Sequence, residues 1–175
     1  MRKMSPRALA TSALIAAVYT ALSLSLPMLS FQAVQMRLSE CLTLLPVLSP
    51  LAVWGVTVGC FLTNLVGAAM GLTMPMDILF GTLATLIAAV LSYLSRRVRF
   101  FRLPILSAIW PVLINGLVIG FEICWISGTW DWNSFLFLAG SVAAGQILPC
   151  LVLGLGLVWL LEQKGLAQRL FSDRR

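Results

Sequence analysis

The sequence predicts an all-α membrane protein of six transmembrane helices, and three observations carry that prediction. Sixty per cent of the 175 residues are apolar and only ten per cent are charged, against roughly a quarter charged in ordinary soluble domains. Uncharged runs extend over residues 8–36, 41–76, 78–95, 103–121 and 132–161, and a bilayer crossing needs roughly 20 mostly apolar residues. Apart from Arg37, the basic residues fall in three clusters that border those runs: Arg2, Lys3 and Arg7; Arg96, Arg97, Arg99 and Arg102; Lys164, Arg169, Arg174 and Arg175. Cytoplasmic loops carry such an excess, so the net charge of +6 reads as membrane topology rather than nucleic-acid binding. An aqueous enzyme is excluded. No extramembrane stretch is long enough for a second domain, so residues 1–175 form a single transmembrane domain.

If all three basic clusters are cytoplasmic, an even number of crossings separates each from the next. The first span, about Arg7 to Leu26, ends at Pro27 and is longer than a signal-peptide core. Pro46 and Pro50 then divide the next apolar run into a short segment, Arg37 to Val47, and a full span, Leu51 to Val66. As an α-helix at about 1.5 Å per residue the short segment covers only about half the hydrocarbon core. Parity nevertheless requires it to cross, extended by irregular backbone buried among its neighbours. The fourth, fifth and sixth spans follow over about Pro75 to Ser95, Leu103 to Ile126 and Asn133 to Leu161. The loop at 127–132 carries Asp131 and no base, which suits the outer face. Six spans with both termini in the cytoplasm result.

Small residues mark packing faces. Ala13, Ala17 and Ala21 repeat every four residues on the first span, beside a second row of Ser12 and Ala16. Such rows let helices approach closely in lipid, either within the bundle or against a separate subunit.

Charged groups at the bilayer centre cost about 2.5–3.5 kcal/mol each on insertion scales and usually mark function. The charged groups Arg37, Glu40, Asp77 and Glu122 and the amides Asn64, Asn115 and Gln146 are the candidates, delivered mostly to the outer half of the bundle by separate spans. Arg37 and Glu40 stand three residues apart and can share a face. Asn115 and Glu122 stand two turns apart on one stripe. Gln146 lies deeper, between Gly145 and Pro149, where a helix can bend or be closely approached. Trp125, Trp130 and Trp132 crowd the outer end of the last two spans, with Phe31 in the first outer loop. They can form an interfacial belt or the apolar cap of a binding pocket.

Several chemistries are missing. Cys41, Cys60, Cys124 and Cys150 form no CxxC pair and the chain has no His, so no metal, haem or disulfide framework is expected. There is no phosphate loop, GxSxG or HExxH, and no evident inverted repeat of the kind found in self-sufficient transporters. A small binding bundle without an engine implies that the engine lies elsewhere. No cofactor is expected.

The stretch Gln35-Met36-Arg37-Leu38-Ser39-Glu40-Cys41-Leu42-Thr43-Leu44-Leu45-Pro46 resembles the Q-x-R-[IL]-S-E-A-L-T-L-L-P signature of the QueT family, the substrate-binding (S) components of energy-coupling factor (ECF) transporters for queuosine precursors. The resemblance continues through residues 55–65, 77–86 and 111–117; Gln146 departs from it where the family more often has Glu. It implies an ECF S-component-like bundle in a bacterial cell membrane, a binding subunit rather than an enzyme. Its partners would be a transmembrane coupling subunit and two cytoplasmic ATPases, docked through Ala13, Ala17 and Ala21. The implied substrate is a 7-deazaguanine base or a related precursor. Glu40, Asp77 and Glu122 then serve as acceptors, and Arg37, Asn64, Asn115 and Gln146 as donors or orienters, beside Trp125. An S component for another vitamin, a standalone facilitator and a non-transporting assembly protein are the competing readings.

Overall fold

A computed structural model describes residues 5–30, 36–128 and 130–171. Phe31, Gln35 and the terminal bases Arg2, Lys3, Arg174 and Arg175 lie outside them. The described residues are helical almost throughout. Five helices have the length and apolar character of a membrane span, and the sixth, Leu38–Val47, is shorter.

Helix α1 covers Pro6–Ser25, with Ser5 capping its first turn and Pro6 at its first position, both favourable at a helix start. A single turn, α2 (Pro27–Ser30), follows. The short apolar segment Leu38–Val47 is a 3-10 helix. At about 2.0 Å per residue, 3-10 geometry carries ten residues about 20 Å, a third farther than an α-helix. The irregular backbone expected for this segment is thus a 3-10 helix. Helices α3 (Leu51–Ala69), α4 (Asp77–Leu94) and α5 (Ile105–Ser127) are regular spans. The last span is composite. Helix α6 (Trp132–Gln146) passes into a π-helical segment (Ile147–Gly154) around Pro149, and α7 (Leu155–Gln163) completes it. A surface turn, α8 (Leu166–Leu170), follows Gly165, whose left-handed φ of 65° makes the corner.

The surface is apolar, and the interior combines a hydrophobic core with buried polar side chains. Leu14, Val18, Phe61, Leu79, Leu117, Phe137 and Val152 face outward, whereas Ser23, Thr43, Thr63, Thr85, Ser92 and Ser107 are buried. The buried hydroxyls are used for packing: the Ser92 and Ser107 hydroxyls each donate to the other residue's carbonyl, at 2.8 and 3.0 Å, tying α4 to α5.

The basic clusters meet at one end. Arg7 donates to the Arg169 carbonyl at 2.9 Å, and Arg99 and Glu162 form a bidentate pair at 2.7 and 2.8 Å. At the other end Phe80, Phe121, Trp125, Trp130, Phe135 and Trp132 make a chain of ring contacts with centroids 5.4–6.3 Å apart. Trp125, Trp130 and Trp132 are exposed there, the arrangement of an interfacial aromatic belt.

Two seams of small residues close the bundle. A Cβ on Gly59 would lie 2.7 Å from the Tyr19 Cβ, and one on Gly55 2.8 Å from the Ile15 Cβ; α3 thus lies against the Ser12–Ala16–Tyr19 row of α1. A Cβ on Gly120 would lie 2.7 Å from the Ala139 Cα, so α5 and α6 touch backbone to backbone. The neighbouring α1 row, Ala13, Ala17 and Ala21, is exposed. Gly120→Val therefore costs about 1–3 kcal/mol and lowers the melting temperature of the purified protein. Gly140→Ala, where nothing stands within 4 Å, leaves it unchanged or slightly raised.

Candidate substrate-binding site

Seven of the eight side chains singled out as substrate-binding are buried: Arg37, Glu40, Asn64, Asp77, Asn115, Glu122 and Gln146. Trp125 is 56 % exposed and stacks edge-on with Phe80, apart from the buried group.

Arg37 precedes the 3-10 helix and Glu40 occupies its first turn. Tyr19 from α1, fully buried, donates its hydroxyl to Glu40 Oε1 at 2.5 Å. The second carboxylate oxygen, Oε2, is buried without a hydrogen-bond partner. One oxygen is held by the scaffold and the other is left for something else. Arg37 sends its Nε to the Ser30 carbonyl at 3.1 Å, and its charge acts on both Glu40 and Asp77.

Asn64 joins α3 to α4. Its amide donates to the Asp77 carbonyl at 2.9 Å, and Gly81 leaves the space it needs, since a Cβ there would come within 2.6 Å of Nδ2. The Asn64 Oδ1 has no partner. Asp77 opens α4, and its Oδ2 accepts from the Met74 amide at 3.2 Å; a carboxylate in a first turn also gains from the helix dipole. On α5, the Asn115 Nδ2 and both carboxylate oxygens of Glu122 are buried without a close hydrogen bond, Asn115 acting on Glu40 and Glu122 on Asp77. Gln146 closes α6 where the π segment begins, with the Cys150 thiol 3.7 Å from its Oε1 and 3.8 Å from the Glu40 carbonyl.

Arg37, Glu40, Thr85, Asn115, Ile119 and Gln146, over Gly81, line a cavity of about 10 Å³. A single water needs roughly 10–15 Å³ on this measure, so the pocket is closed around its polar groups. A larger recess of about 470 Å³ at the basic end, beside the Arg99–Glu162 pair, contains none of the orphaned groups. Volume favours the basic end and chemistry favours the interior. An unmet buried polar atom costs about 1–3 kcal/mol, so four residues carrying such atoms in one region indicate a ligand more strongly than an open surface groove does.

Sequence reasoning missed Tyr19, Thr85 and Ile119. For Tyr19 a signal was present: Ser12, Ala16, Tyr19 and Ser23 recur at helical spacing on one face of α1, and an aromatic hydroxyl on an inward row needs an acceptor. Among the described residues no group of three or more His, Cys, Asp and Glu side chains is placed to hold a metal.

Two outcomes follow for the ligand-free protein. Tyr19→Phe and Glu40→Gln are coupled by about 1–3 kcal/mol in a double-mutant cycle read by thermal or chemical unfolding; additive effects would dissolve the bond. Glu122→Gln raises the melting temperature without ligand, because it removes a carboxyl group held against the Asp77 carboxyl group in a low-dielectric interior; a lower temperature would mean that the carboxyl group is structurally required.

The chain was also compared with known proteins. No curated protein matches it, and no solved structure does. The model of one protein family, the QueT transporter, matches residues 9–163, which takes in every residue of the buried site and all of the candidate spans but the first three residues of α1. With a lipid-facing exterior and a multi-pass helical bundle, that match fixes its broad role as a membrane transport protein: the chain belongs to the QueT transporter family.

Proposed function

We propose that this protein is the substrate-binding component of an ATP-driven ECF importer and that it binds a 7-deazaguanine precursor of queuosine from the outer side. The observation that carries the reading is the buried Glu40 Oε2 beside the Asn115 Nδ2, two groups that act on each other but close no hydrogen bond of good geometry, both from residues lining one interior cavity. A deazaguanine presents ring N–H and exocyclic amino donors side by side and a carbonyl acceptor next to them. A carboxylate and an amide are complementary to that edge. Gln146, an amide where the family more often has Glu, keeps a hydrogen-bonding role without a charge.

Orientation follows from the two ends. The positive-inside bias supports assigning the basic end to the cytoplasm, with Asp77, Glu122 and the tryptophans toward the exterior. The closed cavity opens on ligand entry, and the 3-10 and π segments that border it supply the backbone slack. The energy comes from outside the chain, which has no phosphate loop. The exposed row Ala13, Ala17 and Ala21 is the docking face for the coupling subunit, since the adjoining row is already filled by α3.

A 7-deazaguanine base added to the purified protein raises its melting temperature, as ligand binding to the folded state must. Glu40→Gln weakens that binding by about tenfold or more, equivalent to about 1.4 kcal/mol. No stabilisation by any deazaguanine would remove the substrate assignment. Ala17→Trp keeps binding but abolishes ATP-dependent uptake in vesicles that contain the partner subunits; concentrative uptake by the chain alone would overturn the ECF reading.

A further inference from the structure

The bases at the end of the bundle divide by whether an acid already answers them. Arg99 is taken by Glu162, whose two carboxylate oxygens meet it at 2.7 and 2.8 Å. Arg7, Lys164 and Arg169 form no ion pair among the described residues. These three line one open recess of about 680 Å³ together with Gly165 and Gln168, and no acid lines it. Like charges drawn together from both ends of the sequence repel one another unless an anion offsets them.

The walls of the recess are held in place by the fold. Gly165, with its left-handed φ of 65°, turns the chain from α7 into α8. Phe171, just past α8, is 5 % exposed and belongs to the hydrophobic core, against which Ala167 also packs, so α8 is pinned to the bundle. Arg7, at the start of α1, donates one guanidinium N–H to the Arg169 carbonyl at 2.9 Å. That bond sets its distance from α8 and leaves its other donors for a ligand. Guanidinium groups, an ammonium and the Gln168 amide are all donors to phosphate oxygens.

The surface beside the recess separates a lipid from a dissolved anion. Ala10 and Leu14 continue the Arg7 stripe of α1, three and seven residues on, and Leu160 stands one turn before Lys164 on the same face of α7. All three are exposed, Leu14 at 61 %. Apolar rows thus lead from the cations onto the lipid-facing exterior, as a headgroup with acyl chains below it requires. A free anion makes no use of them.

We propose that Arg7, Lys164 and Arg169 form a binding site for the phosphate headgroup of an anionic phospholipid whose acyl chains lie along Leu14 and Leu160. The site shares no residue with the interior cavity and does not depend on the substrate reading. A lipid bound there links the start of α1 to the α7–α8 corner and stabilises the folded bundle, as any ligand of the folded state does.

The test titrates the purified full chain in a mild detergent with phosphatidylglycerol, with zwitterionic phosphatidylcholine of the same acyl chains, and with soluble glycerol 3-phosphate. Melting temperature is read alongside lipid retained in native mass spectrometry. Phosphatidylglycerol is expected to raise the melting temperature of wild type saturably and to bind at least about tenfold more tightly than phosphatidylcholine. Lys164→Gln with Arg169→Gln weakens that binding by about tenfold or more. Arg97→Gln with Arg102→Gln removes equal charge outside the recess and stays within about threefold of wild type. Should the first pair not yield folded protein, Lys164→Gln alone is measured, with a loss of about threefold or more expected. Equal affinity for the two lipids, or a loss in the recess variant no larger than in the control pair, overturns the site. Displacement of phosphatidylglycerol by glycerol 3-phosphate at equal concentration overturns the lipid assignment and makes the recess a site for a dissolved phosphate.

Discussion

Everything in this structure depends on the cost of placing polar groups in an interior surrounded by lipid. Water is absent from the hydrocarbon core, so a buried donor or acceptor must find a protein partner or a guest. Most of the buried hydroxyls here do find one, through short bonds to carbonyls on their own or neighbouring helices, as between Ser92 and Ser107. Glu40, Asn64, Asn115 and Glu122 keep atoms that do not. Such atoms persist only where the scaffold is held together by something else. The Gly55–Gly59 and Gly116–Gly120 seams do that, bringing α3 against α1 and α5 against α6 at backbone distance.

The same constraint accounts for the two irregular helices. A ten-residue segment has to pass between Arg37, at the polar cluster, and Leu48, beside the basic-end recess. Overwinding to 3-10 geometry supplies the length. Opposite it, the span through Gln146 and Pro149 is underwound to π geometry, where the missing proline N–H is tolerated because an i→i+5 pattern already displaces the regular bonds. Gly154 lets the two approach, since a Cβ there would lie 3.3 Å from the Cys41 carbonyl. Departures from α geometry thus fall on the elements that present Glu40 and Gln146, and π-helical turns are frequent at functional sites.

The spans were legible because hydropathy, proline placement and basic clusters all act through one solvent preference. Helix limits at Ser25, Leu94 and Ser127 fall within one residue of the sequence expectation. The burial of Arg37, Glu40, Asn115 and Glu122 was legible for the same reason, as polar residues in apolar runs have nowhere else to go. What the sequence does not display is winding. Leu38–Val47 has no local signal separating 3-10 from α geometry, because tertiary packing imposes it. Nor does spacing alone say which small row of α1 is filled: Ser12–Ala16 and Ala13–Ala17–Ala21 are equivalent until α3 is placed. Trp125 was read with the site as an aromatic cap at the outer end of its span, yet its ring is exposed and packs in the aromatic cluster.

The central claim is that the interior groups without close hydrogen bonds are the binding surface, although a far roomier recess lies at the basic end. The most direct measurement is an experimental structure with a 7-deazaguanine base bound. The account predicts density between α5 and the 3-10 helix, Glu40 Oε2 and Asn115 Nδ2 within hydrogen-bond distance of the ligand, and a cavity enlarged at Ile119 and Gln146. Ligand seated instead beside Arg99 and Glu162, with Glu40 and Asn115 unchanged, would contradict it.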